Sequence, residues 1–160
     1  IVAGSKKVMN TFSGADDTPA IFAGGTFSGN PLTMAGGIGA LEYLKENKDL
    51  IYPYLHEQGD RLSKEINDYC KSNNIPAQMM NAGSMMHLIF GGENIDSSRD
   101  IDRSHYKLER EFYLHLLGHN VLVPGIHLAF ISYAHTPKII DQVIEAFKNT
   151  FEDLRADGYL

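Results

Sequence analysis

The strongest periodicity in the chain lies near its end. From Thr136 onward, apolar residues fall at Ile140, Ile144, Phe147, Phe151 and Leu154, three or four apart, with lysine and acidic residues between them. That spacing lays one apolar stripe along one helix face. Thr136-Pro137 opens this helix: the threonine oxygen can accept from the free N–H groups of the first turn, and proline lacks only a donor that the helix leaves unbonded. The same cap and proline recur at Asn30-Pro31, which predicts a helix from Pro31 to about Asn47 with Leu32, Ala35, Gly39 and Tyr43 on one face. Gly36, Gly37 and Gly39 weaken it by about 1 kcal/mol each relative to alanine, so close packing against another backbone is the expected compensation. A further helix is predicted over Leu50–Ser72, with Leu55, Leu62, Ile66 and Tyr69 as its stripe. Another covers Ser104–Leu117, with Tyr106, Phe112, Tyr113 and Leu116 inward and Gly118 as the left-handed residue that ends it.

The remaining patterned segments are shorter. Residues 77–91 read as a strand with its core at Ser84–Phe90. Val121–Val123 and Leu128–Ala134 read as two more, and Ile1–Ala3 as the end of another. Lys6–Met9 is a short helical turn. The polar stretches 10–18 and 93–103 are loops. After residue 50 the order is helix, strand, helix, strand, strand, helix, which predicts an α/β layered domain of α+β character, with helices packed on a small sheet. Residues 1–49 hold one long helix and little sheet, and they open on Ile-Val-Ala-Gly-Ser without a methionine. The expectation is a remnant of a larger domain over 1–49 and a small α/β domain over 50–160.

Composition narrows the function. A net charge of -6 argues against general nucleic-acid binding, which calls for a basic face. No apolar run approaches the roughly 20 residues of a membrane span, and no signal peptide is visible. The single cysteine, Cys70, cannot close an intrachain disulfide and is expected buried in its helix. A cytoplasmic location follows as the expectation.

Chemistry concentrates at Gly24-Gly25-Thr26-Phe27-Ser28-Gly29-Asn30-Pro31. Small residues, two hydroxyls and a helix N-terminus together suit an anion such as phosphate. The segment is neither a Walker A loop nor a dinucleotide fingerprint. His115 and His119 are four apart, but no carboxylate or cysteine at ligand spacing completes a set, so no metal site is expected. His87, inside an apolar strand, reads as a hydrogen-bonded core histidine. His127 and His135 flank the Leu128–Ala134 strand, and either can face a pocket. Asp96, Arg99, Asp100, Asp102 and Arg103 read as a solvated loop. Lys6 and Lys7 read as an exposed pair, whereas a catalytic lysine needs a desolvated site.

Four of these segments, in order and spacing, resemble the class III aminotransferases that depend on pyridoxal 5'-phosphate (PLP), with glutamate-1-semialdehyde 2,1-aminomutase the nearest flavour. Residues 23–35 resemble that family's GT-x-SGNP-x-x-MAA segment, Gly83-Ser84-Met85-Met86 its GSMF strand, Phe130–Thr136 its SLAHT strand and cap, and Gly4–Met9 its GG-R-x-x-IM turn. The resemblance implies the C-terminal part of a fold type I enzyme, working as a homodimer with the active site at the subunit interface. It implies that Gly25 and Thr26 bind the cofactor phosphate of the neighbouring subunit. The family's Schiff-base lysine and the aspartate on the pyridine nitrogen are both expected upstream of Ile1, so this chain by itself is expected to be inactive. Where the aminomutases carry a glutamate-bearing loop, this sequence has Pro124-Gly125-Ile126-His127, which places Ile126 and His127 at the substrate entrance. An apolar loop with one histidine favours an aminotransferase that acts on a keto or aldehyde group, such as a carrier-bound acyl chain in a polyketide or peptide synthetase. Aminomutase activity is one alternative. A non-catalytic α/β module for binding or dimerisation is the other.

Overall fold

The computed structural model describes residues 2–12, 21, 24–91, 95, 97–123 and 128–160. They form two compact units, Ile1–Glu46 and Asn47–Leu160.

In the first unit, helix α1 spans Lys6–Met9, a 3-10 turn follows at Asn10–Phe12, and helix α2 spans Pro31–Glu46. Val2 and Ala3 are not in a strand. Lys6 and Lys7 are exposed in α1. Asn30 caps α2 as its chemistry dictates, its Oδ1 accepting from the N–H groups of Leu32 at 3.0 Å and Thr33 at 3.2 Å. No residue of α2 is buried, and none of its three glycines has another group within contact distance of where a Cβ would stand.

In the second unit, helix α3 spans Lys48–Ser72, strands β1 and β2 span Ala77–Ala82 and Met85–Phe90, helix α4 spans Tyr106–Gly118, strand β3 spans Ala129–Phe130, and helix α5 spans Pro137–Ala156. The sheet is antiparallel in the order β1-β2-β3. The single strand expected over 77–91 is therefore a hairpin. Gly83 takes φ +60 and turns the chain in two residues, so that Ala82 faces Met85. The turn docks on α3, where a Cβ on Gly59 would collide with the Gly83 carbonyl oxygen. Two other expected strands shrink. Val121–Val123 is not in the sheet. Leu128–Ala134 retains only Ala129–Phe130, because the chain turns at Ser132, whose backbone N–H donates to Nδ1 of His135 at 2.8 Å.

All three long helices of this unit end in a left-handed residue, but at Asn74, Asn120 and Gly158. Gly118, expected in that role, is instead the last helical residue of α4. Asparagine tolerates the left-handed region better than most residues, and each residue that follows bonds back to the helix: Ile75 to Cys70, Val121 to Leu116, and Tyr159 to Leu154.

The helices cover one face of the sheet. Leu62, Ile66 and Cys70 of α3, Met79, Met86, Leu88 and Phe90 of the hairpin, Phe112 and Leu116 of α4, and the whole predicted stripe of α5 make one core. At its centre Phe112 is fully buried, with ring centroids of Phe147 at 5.2 Å, Phe151 at 5.1 Å and Phe90 at 5.6 Å. Tyr106, expected inward, stands exposed at the first turn of α4. Burial pushes the Cys70 thiol up to about 12. It does the same to the Tyr113 phenol. Polar links fasten α3 to α5: Arg61 pairs with Asp141, and the Tyr69 hydroxyl donates to Glu152. Burial first and the Glu152 carboxylate second raise the Tyr69 phenol to about 12.

Among the described residues no helix is long and apolar enough to cross a membrane.

Candidate functional site

The glycine-rich segment before α2 forms a reverse turn. The Ser28 N–H donates to the Gly25 carbonyl at 2.9 Å and the Asn30 N–H to the Phe27 carbonyl at 3.2 Å. Gly29 supplies the left-handed step, φ +71, that leads into the cap. This geometry follows from local chemistry. A glycine accepts positive φ without a steric penalty, and the asparagine side chain takes two of the free N–H groups while Pro31 removes the need for another. Gly25, Thr26 and Ser28 are all exposed. Two hydroxyl residues thus sit at the N-terminal end of a helix of 16 residues whose first turn holds no acidic side chain. The turn and the first helical turn contain no carboxylate, and the helix dipole attracts an anion. The donor set fits a phosphate group.

Ile126 and His127, the two residues expected at a substrate entrance, lie outside the described residues, as does Asp96. Of the charged loop, Arg99, Asp100 and Asp102 are exposed. The Asp102 carboxylate accepts the Ser104 N–H at 2.8 Å, which holds its pKa below the ordinary carboxylate value.

The histidines are distributed differently from the sequence reading. His87 is not a core residue: it is half-buried on the sheet face away from the helices, beside Met80, Met85 and Ile89. His115 and His119 do project to one side, but towards α5, where His115 meets Asp157 at 3.4 Å and His119 meets Asp153 at 2.7 Å. They act as two cross-links between packed helices. Among the described residues no three histidine, cysteine or acidic side chains converge on a metal position. The carboxylates that meet these histidines lie more than thirty residues away, beyond the reach of any spacing argument. His135 is half-buried in the turn between β3 and α5, and its backbone carbonyl accepts from the Tyr54 hydroxyl at 2.5 Å. The Tyr54 and Tyr133 rings cross edge to face at 5.3 Å beside it.

No protein-family profile matches the chain. A curated relative, glutamate-1-semialdehyde 2,1-aminomutase 2 of Bacillus pumilus, is 35% identical over 140 residues, covering 84% of this chain and 31% of its own length. The solved β-phenylalanine aminotransferase of Variovorax paradoxus superposes with a TM-score of 0.75 and 26% identity, covering 96% of this chain and 35% of that one. A transaminase solved with PLP bound superposes with a TM-score of 0.73 and 19% identity, over 99% of this chain and 35% of its own. The chain spans about a third of the length of the curated relatives it matches.

Proposed function

We propose, from the premise that this chain is a homologue of the class III PLP-dependent aminotransferases and has their fold type I architecture, that it serves as the C-terminal portion of such an enzyme, transferring an amino group to or from a keto or aldehyde carbon. The observation that carries this reading is the turn Gly25–Asn30, an exposed, carboxylate-free anion cradle on the N-terminus of α2.

In this reading residues 1–49 belong to the large cofactor-binding domain and residues 50–160 form the small domain. The Gly25 backbone and the Thr26 hydroxyl hold the cofactor phosphate of a neighbouring subunit in a homodimer. Their bonds are charge-assisted, each worth about 1.5–3 kcal/mol. When bound, PLP supplies the electron sink and the carbonyl that carries the amino group, while the protein supplies orientation and electrostatics. Ile126 and His127 line the substrate entrance. The lysine that holds the cofactor covalently belongs to a part of the enzyme other than Lys6 or Lys7, because both are exposed and a catalytic lysine calls for a desolvated site. The intact enzyme works in the cytoplasm.

The relatives' names favour an aminomutase as the second reading. The two separate by assay of the intact protein against glutamate 1-semialdehyde and against a 3-oxoacyl thioester: turnover of the thioester supports the aminotransferase, and isomerisation of the semialdehyde supports the aminomutase. The phosphate assignment has its own test. Thr26→Ala in the intact enzyme weakens PLP binding tenfold or more, since one charge-assisted bond of about 1.5 kcal/mol or more is lost. Unchanged PLP affinity sinks the assignment.

A further inference from the structure

The first turn of α2 has no backbone donor left to offer an anion. Pro31 has no N–H, Asn30 Oδ1 accepts from both Leu32 and Thr33, and the Asn30 carbonyl accepts from Met34 at 2.9 Å. A phosphate at this end of the helix is therefore held by the turn before it, with the helix dipole acting only through space. Within that turn the N–H groups of Ser28 and Asn30 are already bonded to the carbonyls of Gly25 and Phe27. The hydroxyls of Thr26 and Ser28 have no hydrogen-bond partner among the described residues.

The two glycines of the turn differ in kind. Gly29 supplies the left-handed step, φ +71. Gly25 is not in the left-handed region, and a Cβ built on it would stand 3.6 Å from Ser28 Oγ, an ordinary van der Waals distance, with no other described atom beyond its chain neighbours within 4 Å. The local fold thus accepts alanine at position 25, although glycine there carries an entropic cost. A use for glycine where the fold does not demand it is to let a ligand approach the backbone closely. The missing side chain leaves open the space beside the Ser28 hydroxyl.

We infer that Ser28 is a third phosphate-binding residue, its hydroxyl donating to an oxygen of the phosphate that Gly25 and Thr26 hold, and that the bare Cα of Gly25 admits that oxygen. This role rests on the cofactor reading of the same turn. A phosphate monoester presents three acceptor oxygens. The Gly25 N–H and the two hydroxyls match them in number, and each hydroxyl has one proton to donate.

The test is a fluorescence titration of the intact enzyme, freed of cofactor, with PLP and with pyridoxal, which lacks the phosphate. Ser28→Ala is expected to weaken PLP binding tenfold or more, as the loss of one bond to a charged group requires, and to leave pyridoxal binding unchanged. Ser28→Thr, which keeps the hydroxyl, restores most of the PLP affinity. Gly25→Ala is expected to weaken PLP binding by at least as much while the melting temperature of the cofactor-free protein stays level or rises, because alanine restricts the unfolded chain. Three results overturn the inference: unchanged PLP affinity in Ser28→Ala, equal weakening of PLP and pyridoxal in that variant, or a Gly25→Ala protein that binds PLP as tightly as the parent. Thr26→Ala separates the two levels. If it weakens PLP binding while Ser28→Ala does not, the role of Ser28 fails and the cofactor reading stands; if neither variant weakens it, both fail.

Discussion

Phe112 is the residue whose loss the small unit can least withstand. It is fully buried, and its ring meets four others: Phe90 and Tyr113 at 5.6 Å, Phe147 at 5.2 Å and Phe151 at 5.1 Å. Through these contacts α4 is tied to β2 and α5 at once. Truncation to alanine removes about 150 Å² of buried apolar area, worth about 4 kcal/mol at about 25 cal/mol per Å². The ring–ring terms are shared among neighbours and do not add, so the expected cost stays at about 3–5 kcal/mol. That is a large part of the 5–15 kcal/mol that usually holds a domain together. Phe112→Leu keeps most of the volume and should cost about 1–1.5 kcal/mol. Urea unfolding followed by circular dichroism reads both values from the midpoint, provided the slope is unchanged. A cost below about 2 kcal/mol for Phe112→Ala, or equal costs for the two variants, would refute the claim that ring packing at this position holds α4 to the sheet.

Other expectations follow from single contacts. Gly59→Ala should cost about 1–3 kcal/mol, since its Cβ meets the Gly83 carbonyl and the hairpin turn must move away; an unchanged thermal midpoint contradicts that docking. Asn30→Ala should cost α2 about 1 kcal/mol and speed amide exchange at Leu32 and Thr33, the two donors that lose their acceptor. Tyr69 and Tyr113 have folded-state values near 12 against an ordinary 10, and Cys70 near 12 against 9. A raised value means that the neutral form stabilises the fold, fully so below the unfolded value, with the benefit lost as pH climbs towards the folded one. Stability should therefore fall between about pH 9 and 12, by about 3 kcal/mol for Tyr113 alone, and Tyr113→Phe should flatten the decline. A pH titration of the urea midpoint checks the sign.

The regular helices were legible because their signals are local. The stripe of α5, its Thr136-Pro137 start and the Asn30-Pro31 start each need only neighbours in sequence. The hairpin was missed although Gly83-Ser84, with glycine first, is itself a two-residue turn signal, because the methionine pairs on both sides hide the alternation. The pattern also cannot choose between Gly118 and Asn120 as the helix stop, since both tolerate the left-handed step and only the bond from Val121 to Leu116 selects one. Tyr106 failed for a different reason. It sits on the predicted face, but the chain enters α4 through a 3-10 turn at Arg103–His105, and Tyr106 itself stays exposed while Leu108 packs on the core. At the candidate site, the capped turn around Gly25 and Thr26 was readable. The pairing of His115 with Asp157 and of His119 with Asp153 depends on tertiary contacts that no motif encodes.

The central claim is that these residues belong to a PLP-dependent aminotransferase and cradle the cofactor phosphate at Gly25 and Thr26. The most direct test is an absorbance scan between about 300 and 500 nm of the intact native protein that contains them, before and after addition of an amino donor, alongside its Thr26→Ala variant. A cofactor band that changes on adding the donor, and that needs at least tenfold more PLP for saturation in the variant, is the predicted result. A native protein that takes up no PLP at any concentration would contradict the claim.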